Sequence, residues 1–382
     1  MSAPVARILL ILAVCLPLRA LASDRSTARS VSFEELAKAA EQARSENKDD
    51  QAIKLYSRAL MAKPQWPEGL WYVSTLLYEK DRYADARDRL RHFVSLQPNA
   101  GPGWALLGMS EFQTREYPRA LDHLQRAMAL GMNDRKDMVQ SVFYFVAVLL
   151  TRFERYDDSL NFLFKMIAGG QDKLPLIEPL GLAALRMPLL PSEVPADRRR
   201  LVRMAGEASF ASQTPEHTHA DKLFKDLETA YPNEPGVHFL YGVFLMDFRP
   251  EDGVRELKRE LEISPSHVPA RVRLAAAYVQ DQRLDDALTL ARDAVKLDPN
   301  YGASHMILGE VQVARGEYVG GIAELETARD RQPLIPRIHW DLLRAYTAAG
   351  RPEDAKREKG EIEKLSRAGA ENGSPDQEKQ VE

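Results

Sequence analysis

The sequence predicts an all-α solenoid of helical hairpins, and three observations carry that expectation. Prolines recur at a fixed interval: Pro64 and Pro98 are 34 residues apart, and Pro265, Pro299 and Pro333 continue at the same spacing. Alanines keep the interval in a second phase, at Ala52, Ala86 and Ala120, with Ala59 and Ala127 each seven residues further on. Each period holds two amphipathic stretches of about a dozen residues joined by a short polar turn such as Glu79-Lys80-Asp81-Arg82. Several phases agreeing on one interval is the signature of stacked repeats.

Taken in order, the marks place hairpins at 31–66, 67–100, 101–134 and 140–173, then at 197–234, 235–267, 268–301, 302–335 and 336–366. Helix axes approach to roughly 8–10 Å only where the contact side chains are small. That accounts for Gly108, Ala120 and Ala127 in one repeat and Ala275, Ala287 and Ala294 in another, with Leu107, Leu124, Leu274 and Tyr278 filling the space around them. Ser159, Gly253 and Gly321 stand where alanine is usual. Between the two groups, 174–196 carries Pro175, Pro179, Pro188, Pro191 and Pro195 around the apolar run Leu180 to Leu185. This density of proline does not continue the hairpins and predicts a short helix in a joint between two halves, with a packed insert as the alternative. Residues 367–382 are polar and predict a disordered tail.

Trp104, Leu107, Gly108, Tyr117, Ala120 and Ala127, then Ala275, Tyr278, Ala287, Ala294 and Pro299, then Leu342, Tyr346, Gly350 and Ala355, follow one pattern. In that pattern the chain resembles the tetratricopeptide repeat family. The resemblance implies a right-handed superhelix of about nine hairpins whose first helices line a concave groove. Carried onto this sequence, the groove positions are Trp71, Tyr78, Ala105, Met109, Phe112, Tyr144, Phe239, Met246, Trp340 and Arg344. The resemblance thus implies a partner-binding face of Trp71, Tyr78, Phe112, Tyr144, Phe239, Trp340 and Arg344, suited to a peptide or helix with apolar anchors. One variant of the family grips acidic chain ends through Lys and Asn. The matching places here hold Trp71, Thr75, Ala105 and Met109, so that mode is not expected.

The first residues differ in kind. Arg7, the apolar run from Ile8 to Leu18 and Ala20-Leu21-Ala22 predict a cleavable secretory signal over 1–22. The run is shorter than the roughly 20 residues that span a bilayer, so no membrane span is expected after cleavage. Cys15 is the sole cysteine and leaves with the signal, which excludes disulfides and thiolate chemistry. With 52 basic against 56 acidic residues, a net charge of -4, no basic surplus points to nucleic acid.

The common catalytic constellations are missing: no Gly-rich phosphate loop, no GxSxG elbow and no HExxH helix occurs. The eight histidines read as scattered, apart from His217-Thr218-His219, which with Glu216 and Asp221 offers fewer than three convincing ligands and reads as a solvated loop before a helix. Arg198-Arg199-Arg200 with Arg203 reads as a solvated face paired with Glu193 or Asp197. The expectation is a non-catalytic, exported scaffold or adaptor of the periplasm or cell envelope, binding protein or peptide, with no cofactor and no metal. Its rivals are an assembly component that self-associates through its end helices and a divergent metal enzyme using His217 and His219.

Overall fold

A computed structural model of the chain describes residues 31–132, 136–170 and 172–371. The expected signal segment and residues 372–382 lie outside them. The described residues form nineteen α-helices and one 3-10 turn, with no strand, so the all-α expectation holds. No helix among them is long and apolar enough to cross a membrane. The chain divides into two compact units, one ending at Asp81 and one beginning at Arg82.

The first unit holds α1 (Phe33–Ser45), α2 (Asp49–Ala62) and α3 (Pro67–Glu79). Ser32 starts α1 with a capping box: its hydroxyl accepts from the Glu35 N–H at 3.2 Å while the Glu35 carboxylate accepts from the Ser32 N–H at 2.9 Å. Ala40, Ala52 and Ala59 are fully buried, which lets α1 and α2 lie close. Tyr56 sits beneath the rings of Trp66 and Tyr72, at 5.7 and 5.9 Å.

The second unit begins with α4 (Tyr83–Leu96), α5 (Gly101–Gln113), α6 (Tyr117–Leu130), α7 (Lys136–Arg152) and α8 (Tyr156–Ala168). Next come α9 (Lys173–Ala184), the 3-10 turn Pro191–Glu193, α10 (Arg199–Ser212) and α11 (His217–Ala230). The remaining helices are α12 (Val237–Met246), α13 (Pro250–Ile263), α14 (Val268–Gln280) and α15 (Leu284–Leu297). The last are α16 (Gly302–Ala314), α17 (Tyr318–Arg331), α18 (Pro336–Ala348) and α19 (Pro352–Glu371). Helix α19 runs past residue 367, where the tail was expected to start.

Consecutive helices pack in hairpins, α5 on α6, α14 on α15, α16 on α17 and α18 on α19. First helices of successive hairpins also touch, α5 with α7, α14 with α16 and α16 with α18, so they form the inner layer. The tight turns inside the hairpins use a left-handed residue, and Gln282, Gly316 and Gly350 repeat it at the 34-residue period with φ of 58°, 79° and 69°. The departures from alanine have a packing cause. A Cβ on Gly253 would lie 2.9 Å from the Gly242 carbonyl oxygen, and one on Gly321 2.9 Å from that of Gly309, so glycine faces glycine where these helices cross. Ser159 is fully buried and its hydroxyl donates to the Ala147 carbonyl at 2.8 Å.

The proline-rich segment is packed into the array through α9. Helix α9 starts well before the apolar run that predicted it, since Pro175 lies in its first turn, where a missing N–H is not needed. Leu176 and Leu180 join a core with Ala147 and Leu163 on one side, and Leu182 joins one with Leu201, Val202 and Leu227 on the other. Across it, the Tyr301 hydroxyl donates to Asp157 at 2.8 Å, and Arg186 at the end of α9 lies 3.3 Å from the same carboxylate. This bridge ties α8 to the loop before α16 and borders a cleft of about 570 Å³ lined by Arg155, Asp158, Asn300 and Arg331.

Candidate functional site

A repeated clamp fixes the start of each first helix in much of the second unit. His238 Nε2 donates to the Pro232 carbonyl at 2.9 Å, His305 Nε2 to Pro299 at 2.9 Å, and His339 Nε2 to Pro333 at 2.8 Å. The other ring nitrogen meets a carboxylate of the partner helix: Glu256 at 2.7 Å, Glu324 at 2.6 Å and Glu358 at 2.7 Å. Trp104 serves the same role through Nε1 to Pro98 at 2.9 Å, and Arg271 donates to Pro265. Both ring nitrogens of each histidine thus face an acceptor oxygen. In keeping with this, the hydrogen bond with Glu256 holds the His238 imidazole above its ordinary range. The histidines that read as scattered are, for these three, an element of the repeat.

The clamp seats α18 so that its inner face is presented to solvent. Trp340 is 42 % exposed there, and the side chains of Arg337 and Arg344 are 59 % and 71 % exposed. Beneath them lie a buried acid, Asp341, and a half-buried one, Glu310. Glu310 of α16 accepts from Arg337 at 3.0 and 3.2 Å, and Arg344 donates to Asp341. Asp341 Oδ2 has no hydrogen-bond partner and lies 3.7 Å from Arg337 Nε.

Burial, and after it the charge of Asp341, push the Glu310 carboxyl up to about 8. A carboxyl raised in the folded state stabilises the fold below its ordinary value near 4.5, and that contribution is lost as pH rises towards 8. Glu310→Gln is uncharged throughout. It should therefore unfold at a higher temperature than the parent at pH 8 and at the same temperature at pH 5. The gain expected is a few degrees, at ~2 °C per kcal/mol or less for a chain longer than about 250 residues; equal midpoints at both pH values would contradict the assignment.

The other groove positions sit differently. Trp71 and Tyr78, on α3, are half-buried. Phe112 packs on Phe145 at 4.7 Å and Tyr144 on the same ring at 5.6 Å, while Phe239 lies 4.7 Å from His267. Ala105 and Met109 are buried outright. Trp340 and Arg344 are thus the two of the seven expected contacts that stand clear of the core. Sequence reading passed over Glu310, Arg337 and Asp341, whose adjacency depends on α16 lying against α18.

Two polar clusters differ from expectation. Residues 217–219 belong to α11 and are not a loop; the His217 ring lies 4.5 Å from Phe248, and His217 and His219, two apart on a helix, point in different directions. Arg198 pairs with Glu234 at 2.5 Å and Arg203 with Glu207 at 3.0 Å, not with Glu193 or Asp197.

The profile described as Tetratricopeptide repeat matches residues 74–135 and, in overlapping copies, 249–302, 272–324 and 308–361. No curated protein matches the sequence. Among solved structures the chain is similar to MamA, at 19 % identity over 43 % of this chain and 96 % of that one, with a TM-score of 0.37. It is also similar to MamA 41-end from Desulfovibrio magneticus RS-1, at 17 % identity over 44 % of this chain and 97 % of that one, with a TM-score of 0.39.

Proposed function

This chain is a tetratricopeptide repeat protein, a protein-interaction scaffold, and on that premise we propose that its inner layer of first helices holds a segment of another protein, with Trp340 and Arg344 as the principal contacts. One observation carries the reading. On α18 an indole 42 % exposed stands between two solvated guanidiniums. Aromatic and arginine side chains dominate the energetics of protein interfaces, because they bury much area with few rotors and reach acceptors at their tips. The chemistry favours a partner segment with an apolar anchor for Trp340 and carboxylates near Arg337 and Arg344. Within the second unit, Phe112, Tyr144 and Phe239 would extend the same kind of face where they reach its edge.

The proposal includes export and the absence of catalysis. The leader-like residues around Arg7 and Ala20-Leu21-Ala22 support the first, and the lack of any catalytic motif in the sequence supports the second. The test is capture from the native envelope fraction with the mature chain and a Trp340→Ala, Arg344→Ala variant, followed by titration of the captured partner. Trp340 is exposed, but Arg344 pairs with the buried Asp341, so the thermal midpoint of the variant is compared with that of the parent and Trp340→Ala alone is run beside it. Both should bind the partner more weakly, the double variant by at least ~2 kcal/mol, roughly 30-fold. Equal binding by both chains would remove α18 from the contact surface. Amino-terminal sequencing of the protein from fractionated cells checks export: a start after Ala22 outside the cytoplasm is expected.

A further inference from the structure

Of the three histidine clamps, the one at His238 carries an additional acid that the others lack. Glu228 of α11 places Oε1 3.8 Å from His238 Nδ1, on the same side as Glu256 Oε2 at 2.7 Å, and the three ligand atoms all lie within 4.8 Å of one another. The clamp does not need this acid. Ten residues before each clamping side chain, where Glu228 precedes His238, stand Val94, Leu261, Val295 and Arg329 before Trp104, Arg271, His305 and His339. At His339 that position even supplies a cation, since Arg329 pairs with Glu358 at 3.1 Å. At His238 it supplies a second carboxylate instead. Among the described residues no Lys or Arg pairs with Glu228 or Glu256. One imidazole therefore faces two carboxylates in a partly buried cluster, and Lys225, whose charge Glu228 feels, is itself paired with Asp221 at 2.7 Å. Burial, followed by the Glu256 charge, raises the Glu228 carboxyl, the response of an acid held beside a like charge.

We propose that Glu228, His238 and Glu256 bind a divalent transition cation of the zinc class. The His238 ring is already oriented for it. Nε2–H donates to the Pro232 carbonyl at 2.9 Å, which leaves Nδ1 as the nitrogen facing the carboxylates, the arrangement that backbone carbonyls impose on metal-bound imidazoles. Ligand atoms about 2.0–2.1 Å from a tetrahedral zinc ion stand ~3.3 Å apart. The distances of 2.7 and 3.8 Å bracket that value and the two carboxylate oxygens lie within 4.8 Å of one another, so the cluster must tighten slightly around the ion. One nitrogen and two oxygens suit zinc and its neighbours better than calcium or magnesium, and leave a coordination position for water. The ion takes the place of the proton shared by His238 and Glu256, and joins α11, α12 and α13 across two successive hairpins.

The test uses the untagged full chain, zinc as the probe, and Glu228→Val, which recreates the residue found before His305. Calorimetry of the parent should show one zinc ion per chain, and thermal unfolding should shift upward with zinc relative to chelator. In Glu228→Val the stoichiometric binding and the zinc-dependent shift should vanish, while unfolding in chelator matches or exceeds that of the parent. Absence of stoichiometric zinc in the parent would overturn the proposal and leave the cluster a hydrogen-bonded clamp like those at His305 and His339. Undiminished binding by Glu228→Val would equally overturn it and place the ion elsewhere. Neither outcome bears on the partner surface of α18, which lies on other helices.

Discussion

Gly206→Ala should be among the most damaging single substitutions in the chain. Helices α9 and α10 cross with backbone against backbone: a Cβ on Gly206 would lie 1.9 Å from the Ile177 carbonyl oxygen and 3.1 Å from the Gly181 nitrogen. The reverse contact is as close, with a Cβ on Gly181 meeting the Val202 carbonyl oxygen at 1.9 Å. No rotamer change relieves a clash with backbone. The helices must separate, and Leu176, Leu180, Leu182 and Val202, all fully buried, lose contact as they do. A destabilisation of about 3 kcal/mol or more is expected, at the upper end of what overpacking produces. Position 360 offers the control. Gly360 lies within α19 with nothing within 4 Å of its would-be Cβ, so Gly360→Ala should be neutral or stabilising by up to ~1 kcal/mol.

The form of the loss matters as much as its size. Helix α8 packs on α9, and α9 packs on α10, so this crossing carries most of the coupling between the helices before and after it. In a repeat array stability is a sum of repeat and nearest-neighbour interface contributions. Weakening one interface should split a single urea transition into two, seen most clearly as separate amide-exchange behaviour for α4–α8 and α10–α19. A single transition at an unchanged midpoint would show that the crossing opens without strain.

Much of this architecture could be read from the sequence because it is periodic. Proline at 34-residue intervals and small residues at helix crossings are local demands of the backbone, repeated until chance is excluded, and the described residues are helical throughout that period. The histidines were equally legible and were passed over. His238, His305 and His339 each stand six residues after Pro232, Pro299 and Pro333, the spacing that also separates Trp104 from Pro98. Reading histidine by residue type, as a ligand or a catalyst, hid its role as a ring donor at a fixed place in the repeat.

What was not legible depends on contacts without a period. The Asp157 to Tyr301 hydrogen bond joins residues 144 apart, and the approach of Glu310 to Asp341 requires the first helices of two hairpins to touch. Proline density in 174–196 pointed to a joint because proline interrupts helices on average. In α9 one proline falls in the first turn, and the apolar run around the other is buried on both sides, so burial decides against the local propensity. The aromatic residues of the expected groove show a similar limit. Helical spacing places Phe112, Tyr144 and Phe239 on first helices but does not say which neighbour covers them, and each has a ring packed against it.

His339→Leu should release the last hairpin. The His339 and Glu358 side chains are 4 % and 6 % exposed, and their hydrogen bond holds α18 to α19 while Nε2 holds α18 to the end of the preceding repeat at Pro333. Leucine fills the volume but leaves the Pro333 carbonyl without this donor and Glu358 buried with Arg329 as its remaining partner. Breaking a buried ionic pair by removing one member typically costs 3–5 kcal/mol, because the other member stays desolvated and underpaired. A cost of about that size should appear as faster amide exchange in α18 and α19, with α5–α8 unaffected. His339→Leu combined with Glu358→Leu should recover most of the loss, since an apolar pair of similar volume removes the underpaired carboxylate, and Arg329, which is partly exposed, keeps Asp330 as its partner. If the single and double variants are equally destabilised, the pair contributes by shape and its hydrogen bond is incidental. Because Trp340 follows His339 directly, His339→Leu should also weaken capture of the partner, and the double variant should restore it. Binding would then depend on how firmly α18 is held in the array as well as on the side chains that touch the partner.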